Sequence, residues 1–339
     1  MLADGAPELV AASCSAPAGA AAAESTVTEV AVVAQTAART ATARHVPRPR
    51  GTERNFLGFA MAAILAQLAP GQGPQGDGEP FPNSLSVMTQ DRNDFDMKAE
   101  TITFKGHGGD EIEAYLAQPL GDGPYGGVVV IHHMPGYDRS SKEVARRFAA
   151  EGYLALMPNL YHREAPGASP DDAAAAARAR GGVPDERLVG EVAGAMELLK
   201  SLSKSNGKVA TIGYCSGGRQ SFLAAVSLPL DAAVACYPGG LVSAPAAGSP
   251  VRSTPLLDRV KDLSCPLLGL FGEEDKYPTP DEVAILDKEL SAHGKVHEFH
   301  SYPGAGHAFF QVDRPSYRVE AALDGWQRIH DFFARYLAA

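Results

Sequence analysis

Val209-Ala-Thr-Ile-Gly-Tyr-Cys215-Ser-Gly-Gly-Arg219 joins two kinds of pattern. A short β-branched run containing Val209 and Ile212 leads into Gly213-Tyr-Cys-Ser-Gly217, and a helical pattern from Gln220 to Ser227 follows. The sequence therefore predicts strand, sharp turn and helix, with Cys215 at the apex. Glycines two before and two after the apex suit a turn where strand and helix pass too closely for a Cβ. The helix that follows directs its N–H groups and positive dipole end at the sulfur, which favours thiolate. Read alone, the same stretch also fits a buried structural cysteine in a βα turn.

Working outward, the strand and helix patterns alternate. Glu100–Phe104 and Glu111–Leu116 alternate around a turn at Gly106–Asp110, as a hairpin does. Val128–Ile131 is continuously apolar, which suits a strand buried on both faces. Further strands are expected at Tyr153–Met157, Ala232–Tyr237, Pro266–Phe271 and Val296–Tyr302. Helices are expected at Ser141–Glu151, Asp185–Leu202, Thr279–His293 and Val319–Leu337, with a short surface helix at Asp171–Ala179. This order predicts an α/β fold: a mostly parallel, doubly wound sheet led by an antiparallel edge hairpin.

Residues 1–95 differ from the rest. Met1–Ala43 is rich in Ala, with Ser and Thr and almost no large side chains, and Gly71–Pro82 is a Gly/Pro/Gln linker, so the segment reads as a low-complexity, disordered extension. The apolar run Phe56–Ala69, preceded by Arg48, Arg50 and Arg54, resembles an internal export signal but lies far from Met1 and is short for a membrane span. Residues 96–339 are the expected folded domain. A net charge of -10 without a basic stripe argues against nucleic acid. The four cysteines are too few and too irregularly spaced for a disulfide framework, and free thiols suit a cytoplasmic setting. A monomer or small homo-oligomer acting on a small molecule, away from membranes, is the expected state.

Three more strand ends carry chemistry, at the carboxyl rim where open sheets collect their sites. Leu270-Phe-Gly-Glu-Glu-Asp275 ends in carboxylates, Tyr302-Pro-Gly-Ala-Gly-His307 in a histidine, and Val130-Ile-His132-His133-Met134 in a histidine pair. Nucleophile, acid and histidine in that chain order match the α/β-hydrolase arrangement. Asp275 alone could equally be a helix-entry acid, and His307 a loop histidine. Adjacent His132 and His133 point to opposite faces of a strand, and no further ligand falls at a supporting spacing, so no metal is expected. No cofactor motif is present either.

These stretches, with Pro158–Gly167 and Ser205–Val209, resemble the dienelactone hydrolase family from about residue 97 to the C-terminus. The resemblance implies Cys215 as nucleophile, His307 as base and Asp275 as its orienting acid, with the N–H groups of Met134 and Ser216 as oxyanion hole. It implies hydrolysis of esters or lactones through an acyl-cysteine. Two departures stand out. The family's glutamate near the thiol is replaced by His133, read here as shaping the pocket and its electrostatics. Of the family's two carboxylate-gripping arginines, Arg163 matches one, whereas the other position is Gln311, with Arg314 nearby but outside the motif. A range broader than anionic lactones is the resulting expectation. Tyr161, His162 and Tyr237 are candidate pocket walls. The competing readings are a glutamine-amidotransferase-like amidase, which shares G-x-C-x-G, and a binding protein on the same fold.

Overall fold

The computed structural model describes residues 97–249 and 251–338. The extension expected at 1–95, with its signal-like run, lies outside the described residues, and the domain's first strand starts at Met97. Eight strands form one sheet: β1 (Met97–Lys105), β2 (Glu111–Pro119), β3 (Tyr125–Ile131), β4 (Leu154–Pro158), β5 (Ser205–Tyr214), β6 (Ala232–Cys236), β7 (Leu267–Gly272) and β8 (His297–Tyr302). Their spatial order is β1-β2-β4-β3-β5-β6-β7-β8. β1 pairs with β2, and β2 with β4, in antiparallel fashion, and every other pairing is parallel. The edge hairpin and the parallel interior follow the expected architecture.

The helices are α1 (Arg139–Ala150), α2 (Pro170–Ala179), α3 (Asp185–Ser201), α4 (Ser216–Ala225), α5 (Pro280–Ala292) and α6 (Val319–Leu337). Their starts are chemically specified. Asp138 accepts from the Ser141 N–H at 2.7 Å, and Thr279 with Glu282 forms a reciprocal capping box. The expected surface helix at 171–179 begins one residue earlier, with Pro170 in its first turn, and buries Ala173, Ala174 and Ala177.

Strand alternation divides the core in two. Val129 and Ile131 of β3 belong to the core on the α2, α3, α4 and α5 side, with Leu188, Val192, Phe222 and Leu290. Val128 and Val130 face α1 and α6, packing with Phe148, Trp326, Ile329 and Phe333. A strand with both faces covered needs apolar residues at every position, which accounts for the unbroken run in β3. At the elbow, a Cβ on Gly217 would stand 2.3 Å from the Ile131 carbonyl oxygen, and one on Gly213 only 1.9 Å from that of Gly217. Backbone lies on both sides, so neither position tolerates a side chain, as the motif implied. No helix among the described residues is long and apolar enough to cross a membrane.

Candidate active site

Cys215 sits between β5 and α4 as the residue capping the helix, with φ 56° and ψ -121°. Few non-glycine residues adopt this conformation, and here the neighbouring chain enforces it. The Cys215 N–H donates to the Cys236 carbonyl at 3.0 Å, and the N–H groups of Gly218 and Arg219 in α4 donate to the Cys215 carbonyl. The thiol consequently projects from the sheet rim and is partly exposed, whereas Cys236 and Cys265 are buried. Burial pushes the Cys265 thiol up to about 12 and raises that of Cys236 well above its ordinary value.

The two loops expected to bring the acid and the histidine converge on this sulfur. His307 Nε2 lies 3.0 Å from Cys215 Sγ, and His307 Nδ1 lies 2.9 Å from Asp275 Oδ2. Backbone bonds lace the loops together: the Glu273 N–H donates to Tyr302 O at 3.1 Å and the Glu274 N–H to Ala305 O at 2.9 Å. Asp275 Oδ1 accepts from the Tyr277 N–H at 2.9 Å, so both carboxylate oxygens are engaged and the side chain cannot swing away. Tyr237, fully buried, meets the imidazole edge-on at 5.1 Å between centroids and limits its rotation.

Burial opposes charge on His307, but the hydrogen bonds to Asp275 and Cys215 and their negative charge outweigh it and lift the imidazole to about 10. The ring thus holds a proton across the neutral range. Met134 and Ser216 both line the cleft beside Cys215. Neither backbone N–H has a hydrogen-bond partner among the described residues.

His133 and Arg163, also expected at the site, lie elsewhere. His133 is buried on the other side of the rim, 3.4 Å from Ser141 Oγ and 3.6 Å from Asp138 Oδ2, and is not part of the cleft wall. Burial lowers its pKa against the pull of Asp138. His132 accepts from the Leu160 N–H through Nε2 at 3.2 Å, which leaves Nδ1 to donate to His133 O at 2.9 Å. Burial lowers this ring to about 4, so it is a neutral structural histidine. No group of three or more candidate metal ligands occurs among the described residues.

Arg163 pairs with Glu191 of α3, with Asp110 at 3.2 Å and with the His107 carbonyl at 3.0 Å. It does not line the cleft, and the structure does not bring it to the thiol. Since the Glu191 side chain is 1% exposed, removing its partner strands a carboxylate in the interior. Arg163→Ala is therefore expected to cost about 3 kcal/mol of stability while leaving the preference between neutral and anionic esters unchanged. Denaturant melts and paired KM measurements check both halves.

The cleft holds about 470 Å³ and contains cations that sequence reasoning missed: Arg219, Arg252 and Lys276. Arg219 grips Asp185 through two bonds of 2.8 and 2.9 Å and donates to the Thr254 carbonyl at 2.6 Å. Its fork is occupied by the protein. Tyr161 forms part of the cleft wall, as expected, and packs edge-on against His132 at 4.9 Å.

Comparison with known proteins agrees with this architecture. The model of the dienelactone hydrolase family matches residues 112–337. A protein of Escherichia coli K12 named "Putative carboxymethylenebutenolidase" is 36% identical over 238 residues, covering 67% of this chain and 84% of the relative. A protein of Methylorubrum extorquens AM1 with the same name is 34% identical over 227 residues, covering 66% and 77%. The crystal structure of a Klebsiella pneumoniae protein described as a "Putative Dienelactone Hydrolase" superposes with a TM-score of 0.62 at 31% identity, covering 71% of this chain and all of that one. With the family match spanning two thirds of the sequence, this chain belongs to the dienelactone hydrolase family and is a hydrolase of that family.

Proposed function

We propose that the protein hydrolyses small carboxylic esters or lactones through Cys215, His307 and Asp275 by way of an acyl-cysteine. The observation that carries this reading is the unbroken chain of contacts from sulfur to imidazole to carboxylate, at 3.0 and 2.9 Å. In the first half-reaction the sulfur attacks the ester carbonyl, and the oxyanion is received by the N–H groups of Met134 and Ser216, worth roughly 3–4 kcal/mol for each donor. The proton held on His307 passes to the leaving oxygen. Water then enters, gives a proton to the imidazole and attacks the thioester, which frees the acid and expels the sulfur as thiolate beside the again-protonated ring.

The catalytic unit is residues 96–339, and its unprotected thiol suits a reducing compartment such as the cytoplasm. The substrate range extends beyond anionic lactones, because Arg163 is held by Glu191 and the fork of Arg219 by Asp185, which leaves Arg252 and Lys276 at the cleft wall in place of a paired-arginine grip on a carboxylate. A panel of p-nitrophenyl esters, neutral lactones and a carboxylate-bearing dienelactone tests the proposal. A neutral aryl ester is expected to reach a kcat/KM within about tenfold of the anionic lactone. Mass spectrometry of the quenched reaction should find the acyl group on Cys215. Exclusive turnover of the anionic lactone would overturn the broad range, and an acyl group absent from Cys215 would overturn the mechanism.

A further inference from the structure

Behind the catalytic rim, on the α1/α6 side of the sheet, lies a second cavity of about 170 Å³ that shares no wall residue with the catalytic cleft. Its walls are mainly Val130, Val144, Tyr214, Phe310 and Trp326. The three aromatic rings form a continuous surface, with Tyr214 and Phe310 at 5.6 Å and Phe310 and Trp326 at 5.8 Å, both edge-on. A cavity of roughly 150 Å³ lined by apolar side chains suffices for benzene. The uncharged polar lining comes from His132, His133, Ser140, Ser141 and Gln311. The charged residues at the cavity already have partners: Glu143 is paired with Arg146, and Arg147 with Glu151 while stacking 3.8 Å over Trp326. An ionic ligand would find no unpaired counter-charge among these residues.

We infer that this cavity is a second ligand site, for a small neutral aromatic molecule with one short polar substituent, and that its occupant alters turnover at Cys215. The walls explain the coupling. Tyr214 directly precedes Cys215, His133 directly precedes Met134, and Phe310 follows His307 by three residues. A ring between them presses on all three segments that position the reacting groups. Movement of the oxyanion donor or the imidazole by a fraction of an ångström changes the rate without blocking substrate entry. His133, where the family resemblance predicts a glutamate, thus faces the occupant of this cavity and not the substrate.

Trp326 is the only tryptophan in the chain, so its emission reports this cavity directly. The probe is anisole, which is neutral and has neither an acyl group nor a nucleophile. Added to the full chain, with tryptophan excited at the red edge of its absorption, it should give a saturable change with a dissociation constant of about 1 mM, well within the limit for a ligand of this size. Alkylation of Cys215 by iodoacetamide should leave the response intact. Val144→Phe should abolish it by filling the cavity. Val312→Asp, at a 71% exposed wall position where folding is not at stake, should weaken it at least about fivefold by placing charge beside the ring. Saturating anisole should change kcat at least twofold at constant KM.

A linear, non-saturating response, or one that survives in Val144→Phe and is unweakened in Val312→Asp, overturns the site. A response lost on alkylation also overturns it, since the probe would then occupy the catalytic cleft. Saturable binding with kcat unmoved overturns the coupling. The kinetic part rests on the ester-hydrolase reading, whereas the fluorescence part does not, so failure of either is recognised separately.

Discussion

Replacement of Cys215 by alanine is expected to lower kcat for an aryl ester by at least about 10⁴-fold, while the melting temperature stays within a few degrees of the parent. The size follows from the proposed role of the sulfur as the atom that forms the covalent bond. In comparable triads, loss of the nucleophile alone costs about as much as loss of all three members, and the residue of activity comes from the oxyanion hole and from binding. The stability expectation follows from the backbone. Alanine carries the same Cβ as cysteine, so the strain of a residue at φ 56° is unchanged. Only one partly exposed sulfur is lost. Serine at 215 is a softer change, because a hydroxyl holds its proton more tightly than a thiol and depends more on His307 as base. Steady-state kinetics together with a thermal melt separate the possibilities: turnover retained by a folded alanine variant removes Cys215 as nucleophile.

The fold was legible wherever a single strand or helix carries its own signal. Val128–Ile131 is apolar at every position because the sheet is covered on both faces, and the structure distributes those four residues between two cores. Gly213 and Gly217 mark the elbow because backbone occupies the place of any Cβ. That Cys215, Asp275 and His307 meet at one rim was legible for the same reason, since each closes a strand there. What the sequence did not reveal depends on partners far along the chain. Arg163 occupies the family's arginine position, yet Glu191, 28 residues later on α3, holds it in the structure. Arg219 meets Asp185 across 34 residues, and no local pattern distinguishes Asp185 from an ordinary helix-entry acid. β5 begins at Ser205, earlier than its apolar run, because Ser205 pairs with Tyr125 before the buried part begins. His132 and His133 read as opposite faces of a strand and His133 as a pocket residue, but the strand ends at Ile131 and the loop turns His133 toward α1.

Asp275→Asn is expected to lower kcat about 10³- to 10⁴-fold, in line with removal of the orienting acid from comparable triads, and to move the alkaline limb of the pH–rate profile to lower pH. In the parent, burial disfavours the charged imidazole, and the bonds to Asp275 and Cys215 overcome that penalty to hold His307 at about 10. In the proposed mechanism the charged ring gives its proton to the leaving oxygen, so kcat/KM should hold through neutral pH and fall as pH rises through about 10. Asparagine removes the negative charge at Nδ1 but leaves the burial, so proton loss from the ring comes sooner and the limb shifts toward acid. The amide can also present its NH₂ group to Nδ1, which makes that nitrogen an acceptor and puts the neutral ring's proton on Nε2. In that tautomer Nε2 cannot accept a proton from the thiol 3.0 Å away. The two effects are separable, since the first moves the limb and the second lowers the plateau. A profile measured with a neutral aryl ester, corrected for spontaneous hydrolysis, distinguishes them. If the plateau falls while the limb stays in place, Asp275 only orients the ring; if neither moves, the carboxylate has no part in the relay despite its 2.9 Å contact.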